Sequence, residues 1–248
     1  MYRFALRPRW LVVHVVIVII GVLCAVAGFW QLDRLSERRD RNALVTQRRA
    51  QAVVGAEDVV ADPDETVHRR VRAMGRYDVG REVVLIGRPN DGRPGNHVLT
   101  PLVLTGGRAL VVDRGWVSPD HDSAPVVDAL PPQGEVEVTG ILLPSEGAAP
   151  LSGAAEPGDT VARIDVETLG RSLPYPTLPL YLALTAQQPA QRGELPDPIS
   201  LAELSEGSHR LYAIQWFLFI VIGVVGYAAI LRREALRGNR VSTPAAAT

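Results

Sequence analysis

The residues with the most chemical reach lie at the edges of two apolar runs. Trp30, Gln31, Arg34 and Arg38 close the first run, and helical spacing puts Trp30, Arg34 and Arg38 on one face. His209, Tyr212 and Trp216 open the second on a shared face, with Gln215 beside them. A neutral imidazole at such a lip can ligate haem iron. Two guanidiniums can hold carboxylates such as haem propionates. The plainer reading, which spacing alone favours, is that the arginines snorkel and that Tyr, Trp and His are ordinary interfacial residues. His14 and Gln215 sit inside the apolar runs, where polar groups are costly and tend to face another helix. They either hydrogen-bond the two runs together or meet a partner membrane protein. Asp113-Arg114 ends an apolar run, and it reads as an anion site or, more simply, as a charge pair at a strand end.

Other chemistry is sparse. There is no Gly-rich phosphate loop, no nucleophile elbow and no HExxH, so an enzyme is not expected. Histidines at 14, 68, 97, 121 and 209 lack metal-ligand spacing, so no metal is expected beyond haem iron at His209. Cys24 is the sole cysteine, which excludes a disulfide framework. A net charge of -1 gives no electrostatic reason to expect nucleic acid. All 26 basic residues are arginine, in keeping with a GC-rich coding sequence.

The elements that position these residues begin with two spans, residues 10–30 and 211–231, each long enough as a helix to cross a bilayer core of about 30 Å. The first run is too long for a signal-peptide core and lacks small residues at its end, so it reads as a retained anchor. Arginines at 3, 7, 9, 232, 233, 237 and 240 flank the outer ends of the pair, while Arg34, Arg38, Arg39, Arg41, Arg48 and Arg49 follow the first span. The counts nearly tie, and the short termini decide: residues 1–9 and 232–248 are expected in the cytoplasm. Residues 31–210 then lie outside the cytoplasm.

Within that segment, 34–54 reads as a solvated, charged helical stalk and 68–187 as a mainly antiparallel β domain. Its strand-like runs are Glu82–Ile86, His97–Leu104, Ala109–Val112, Val136–Leu143 and Leu180–Leu184. Turns are expected at Asn90-Asp91-Gly92 and Gly106-Gly107, and a short helix at Val166–Arg171. Trp116 is expected at the domain edge or against its membrane-proximal surface. Pro144–Thr160 reads as a loop and 188–208 as a linker. The expected fold class is thus a membrane protein with two transmembrane helices, N- and C-terminal, flanking one extracytoplasmic mainly-β (α+β) domain.

Four segments resemble the Surfeit locus protein 1 family. Gly28-Phe29-Trp30-Gln31-Leu32-Asp33-Arg34 resembles the family's signature at the end of its first span. Gly95-Asn96-His97-Val98-Leu99-Thr100-Pro101-Leu102 resembles its G-x-x-V-x-T-P motif. Val112-Asp113-Arg114-Gly115-Trp116-Val117 resembles N-R-G-W-V, with Asp113 where Asn is usual. His209-Arg210-Leu211-Tyr212-Ala213-Ile214-Gln215-Trp216-Phe217 resembles the H-x-x-Y-A-x-Q-W-F opening of the second span. The likeness covers nearly the whole chain. It implies a cytochrome c oxidase assembly factor in the cell membrane, acting around insertion of haem a into the catalytic subunit. It also implies contact with that subunit and with the haem a synthesis machinery, besides the lipid bilayer. The residues it points to for haem a are His209, Tyr212, Gln215, Trp216, Arg34 and Arg38. Gly28, Trp30, Gln31, Gly95, Thr100, Pro101, Arg114, Gly115 and Trp116 are the structural motif residues.

Whether such a factor chaperones haem or holds the apo-subunit receptive stays open at this point. The competing function is a stable accessory subunit of the mature oxidase. A sensor is disfavoured by a tail of 17 residues after Leu231, and an envelope enzyme by the lack of a reactive constellation.

Overall fold

The computed structural model describes residues 3–56, 63–147, 159–201 and 204–241, in two compact units, Met1–Ala43 with Leu204–Thr248 and Leu44–Glu203. Most of the loop expected over Pro144–Thr160 and the end of the 232–248 tail lie outside the described residues. In chain order the elements are α1 (Pro8–Ala50), β1 (Val54–Gly55), α2 (Pro63–Thr66), β2 (Arg70–Tyr77), β3 (Val83–Leu85), β4 (Asn96–Leu104), β5 (Ala109–Val117), β6 (Val136–Pro144), β7 (Thr160–Val161), α3 (Val166–Arg171), β8 (Thr177–Gln188) and α4 (His209–Val241).

The first unit is built on α1 and α4, both long and apolar enough to cross a membrane. Pro8 opens α1, where its missing N–H costs nothing. The helices meet through Phe217, whose ring lies so close to Gly28 that an added Cβ would come within 2.8 Å of it. Phe29 meets the same ring edge-on at 5.5 Å. Tyr227 hydrogen-bonds His14 Nδ1, so one polar residue of the first span does join the two helices. Gln215 does not: it is exposed on α4, turned away from the buried Ala213.

In the second unit β2 pairs with β6 on one side and β4 on the other. Strands β2, β6, β8, β5 and β4 therefore close into a five-stranded barrel, extended by β1, β3 and β7. Pairing is mostly antiparallel, with β5–β8, β1–β2 and β3–β7 parallel. The interior holds Val71, Leu102, Leu110, Val112, Leu142 and Leu182, because alternate residues of each strand face inward. Leu99, Val111 and Tyr181 face outward, under Val166 and Leu169 of α3. Asp165 caps α3 by accepting from the Thr168 N–H.

Three expectations need correction. The stalk stops at Ala50, and its last turns join the second unit: Val45 is buried, and Arg48 donates to the carbonyls of Asp64 and Val67. The third and fifth runs are longer than expected, because ladder pairing carries polar residues through β5 and β8. The linker is no free tether as far as Ser200. Asp197 exchanges both backbone hydrogen bonds with Trp116 at 2.8 Å, and Asn90 holds the Pro198 carbonyl and the Ser200 N–H. Residues 189–200 thus form a strap fastened to the barrel.

Leu182 is fully buried inside the barrel. Leu182→Ala should cost about 2–5 kcal/mol. Val127→Ala, at an exposed position, should stay within about 0.5 kcal/mol. Urea unfolding followed by tryptophan emission checks both.

Candidate functional site

His209 is the first residue of α4 and is half-buried. Its Nδ1 lies 2.9 Å from Gln31 Oε1, across the helix pair. An amide oxygen accepts, so Nδ1 carries a proton, and Nε2 is the ring nitrogen left for another partner. Gly207 precedes it with φ +70°, and a Cβ built there would lie 3.7 Å from His209 Nε2 and 4.0 Å from the Arg38 guanidinium. Any side chain at 207 would fill the space these two groups share. The approach to α4 is fastened to α1 nearby. Arg39 donates twice to Glu206 at 2.8 and 2.9 Å, and the Asn42 amide donates to the carbonyls of Leu204 and Ser205.

The other expected lip residues divide. Arg38 is exposed beside the imidazole, and no ion pair among the described residues engages it. Arg34 is committed elsewhere, donating to Glu37 at 2.8 Å and lying 5.6 Å above the Trp30 ring. Tyr212 is exposed, while Trp216 is half-buried and edge-on to Phe219 at 5.9 Å. The structure therefore brings His209, Gln31 and Arg38 together. It leaves Arg34 and Gln215 apart from them, and Gly28 supplies the close helix approach described above.

The remaining motif residues lie in the barrel unit and hold it together. Asp113 and Arg114 are not a charge pair at a strand end. They are buried within β5, and each takes a different partner. Arg114 donates to Glu82 at 3.1 Å and to the Ala129 carbonyl, reaches Gln191 of the strap at 3.3 Å, and sits 5.4 Å from the Tyr77 ring. Glu82 also accepts from the Thr100 hydroxyl (2.8 Å) and the Val126 N–H (2.9 Å). Burial draws the Arg114 guanidinium below its ordinary pKa, opposed by the charge of Glu82. Pro101 is buried in β4 next to Thr100.

Asp113 lies 2.8 Å from His97 Nδ1. Burial holds its carboxyl above the ordinary carboxylate value, and the His97 hydrogen bond opposes this. Gly115 has φ +144°, and a Cβ there would lie 2.4 Å from the Asp197 carbonyl, so only glycine lets the strap lie across β5. A Cβ on Gly95 would strike the Trp116 indole at 2.1 Å. Trp116 is buried rather than at an edge, with the Arg93 guanidinium 4.3 Å above its ring.

Glu82 and Asn90 escaped sequence reasoning. The usable signal for Glu82 was its sign: an acid heading one apolar strand and a base inside another are candidates for one buried pair. Among the described residues no group of three or more His, Cys, Asp or Glu could hold a metal ion.

Comparison with known proteins matches residues 18–221 to the model of the SURF1 family. An uncharacterized SURF1-like protein of Mycobacterium tuberculosis is 29% identical, over 97% of this chain and 91% of the relative. SURF1-like proteins of Rickettsia felis and Rickettsia bellii are 22% and 23% identical. Each alignment takes in 90% of this chain and over nine-tenths of the relative.

Removing Arg114 would leave buried Glu82 without a countercharge, held only by Thr100 and the Val126 N–H. Arg114→Ala should cost about 3–5 kcal/mol, and replacing both partners by apolar residues should restore much of it. Asp113→Asn should act oppositely. An acid whose folded pKa is raised costs stability wherever it is ionised, and the cost fades as pH falls toward its ordinary value of 3.8. The Asn variant should therefore be the more stable at neutral pH, with a gain that shrinks on acidification. Urea midpoints measured across pH would show this trend or its reverse.

Proposed function

The chain belongs to the SURF1 family, and we propose that it is a membrane-anchored assembly factor for haem-copper cytochrome c oxidase that handles haem a at the lip of its helix pair. The family's members are generally cytochrome oxidase assembly factors. In this reading α1 and α4 cross the cell membrane, both termini are cytoplasmic, and residues 32–208 lie outside. The role is one of binding and delivery to the catalytic subunit rather than catalysis.

The observation that carries the proposal is the His209–Gln31 hydrogen bond. It fixes the imidazole tautomer from behind, as carbonyl acceptors do for metal-bound histidines, and directs Nε2 away. The donor set fits haem: a neutral imidazole nitrogen for the iron, the Arg38 guanidinium for a propionate, and the Tyr212 and Trp216 rings for an apolar flank. Bound haem would supply an iron centre, which the His209 imidazole would hold through Nε2. Gln31 orients that ring, and Arg38 supplies charge beside it. Gly207 keeps the space between them open. An amphipathic ligand suits a place where an apolar helix pair meets polar sequence.

The test is the spectrum of the protein purified from cells that make haem a. His209→Ala should remove the Soret band while leaving membrane insertion intact. Gln31→Leu should weaken haem affinity by about 10-fold or more through loss of ring orientation. Arg38→Ala should lower haem content, and Arg34→Ala should change little, because Glu37 and Trp30 hold that side chain. An unaltered Soret band in the His209 variant would defeat the assignment. Topology is checked separately by alkaline phosphatase fused after Gly147, which should be active.

A further inference from the structure

The two ends of the helix pair differ in how their arginines are matched. At the His209 end, Arg34, Arg38, Arg39, Arg41 and Arg210 stand among Asp33, Glu37, Asp40 and Glu206, five bases against four acids. Two of the bases are paired in the structure, Arg34 to Glu37 and Arg39 to Glu206, both at 2.8 Å. At the opposite end, residues 1–9 and 232–248 carry seven arginines and one acid, Glu234. Arg7, Arg9, Arg232, Arg233 and Arg237 are all exposed there, and no ion pair among the described residues engages them.

These five side chains form a collar because the helices are antiparallel and in register. His14 and Tyr227 touch and mark one level of the pair. Arg9 lies five residues before His14 and Arg232 five residues after Tyr227, so each is about 7.5 Å beyond that contact along its helix. Arg7 and Arg237 continue the collar in the same direction. A ring of guanidiniums at the end of an apolar helix pair, with almost no carboxylate to neutralise it, matches a surface of phosphates. The arginines are spread over about a turn and a half of α4 and the start of α1 rather than aimed at one point, which suits a plane of headgroups better than a single ion.

We propose that the arginine collar formed by Arg7, Arg9, Arg232, Arg233 and Arg237 binds the phosphates of anionic phospholipid headgroups. The inference rests on the reading that the helices cross a membrane, and it adds a lipid class to that reading. The collar draws anionic lipid to one leaflet around the pair, while the matched charges at the His209 end leave the other leaflet unselected.

Trp10 sits beside Arg9 and serves as a reporter. The full chain is reconstituted into vesicles carrying, at equal mole fraction, either phosphatidylglycerol or phosphatidylcholine with brominated acyl chains. The Trp10 signal is the difference between the protein and its Trp10→Phe variant. Brominated phosphatidylglycerol should quench it about threefold more than brominated phosphatidylcholine. In a variant with Arg7, Arg9, Arg232, Arg233 and Arg237 all replaced by Gln the two lipids should quench nearly alike. Equal quenching in the unaltered protein would overturn the collar while leaving the membrane reading in place. Quenching by neither lipid would overturn the membrane reading and the collar with it. Relief of the preference by millimolar inorganic phosphate would replace the headgroup site by a free-anion site.

Discussion

A full positive charge inside a protein must be matched, and Arg114 is matched by atoms drawn from three separate segments of the barrel unit. Its guanidinium takes Glu82 from the head of β3, the Ala129 carbonyl from the segment before β6, and Gln191 from the strap after β8. Glu82 in turn takes Thr100 from β4 and the N–H of Val126. Such a pair adds little net stability over an apolar core of the same volume, since desolvation offsets the attraction. Its effect is on uniqueness: a barrel with a shifted register would strand a buried charge.

The helix pair follows the same rule with neutral groups. Apolar contact alone would let two such helices slide or rotate, because Val, Leu and Ile pack against each other in many registers. His14 meets Tyr227 near one end, and His209 meets Gln31 near the other. With Phe217 seated over Gly28 between them, these contacts allow one alignment. The hydrogen bond proposed to orient a ligand is thus also part of what aligns the two helices.

Much of this was legible in the sequence, for identifiable reasons. Apolar length gave the two long helices, and β-branched runs bounded by Gly, Pro and Asn gave most of the sheet strands. The short helix at Val166–Arg171 was legible and sits at the expected bounds, where Asp165 caps it and its Val166 and Leu169 pack over Leu99, Val111 and Tyr181. β2 was not readable, because its inward positions Val71, Ala73 and Gly75 are small and its outward ones are three arginines and Met74. Barrel closure could not be read either, since the β2–β4 pairing involves only three residues of each strand. The strap looked like a linker because its fastenings at Asp197, Pro198 and Ser200 use backbone atoms, which composition does not reveal. Among the lip residues, spacing grouped His209, Tyr212 and Trp216 on one face of α4, where the structure has His209 and Trp216 half-buried and Tyr212 exposed. It did not separate Arg38, beside the imidazole, from Arg34, held by Glu37.

The strap across Gly115 has a bearing on how the protein is made. The barrel unit lacks its last fastenings until Gln191, Asp197 and Ser200 have been synthesised, since these hold Arg114, Trp116 and Asn90. Only eight residues, 201–208, then separate Ser200 from the start of α4. Completion of the barrel and emergence of the second long apolar helix are therefore successive moments of translation rather than independent ones. A nascent chain paused just short of residue 190 would hold all eight strands of the sheet and yet an unfinished domain.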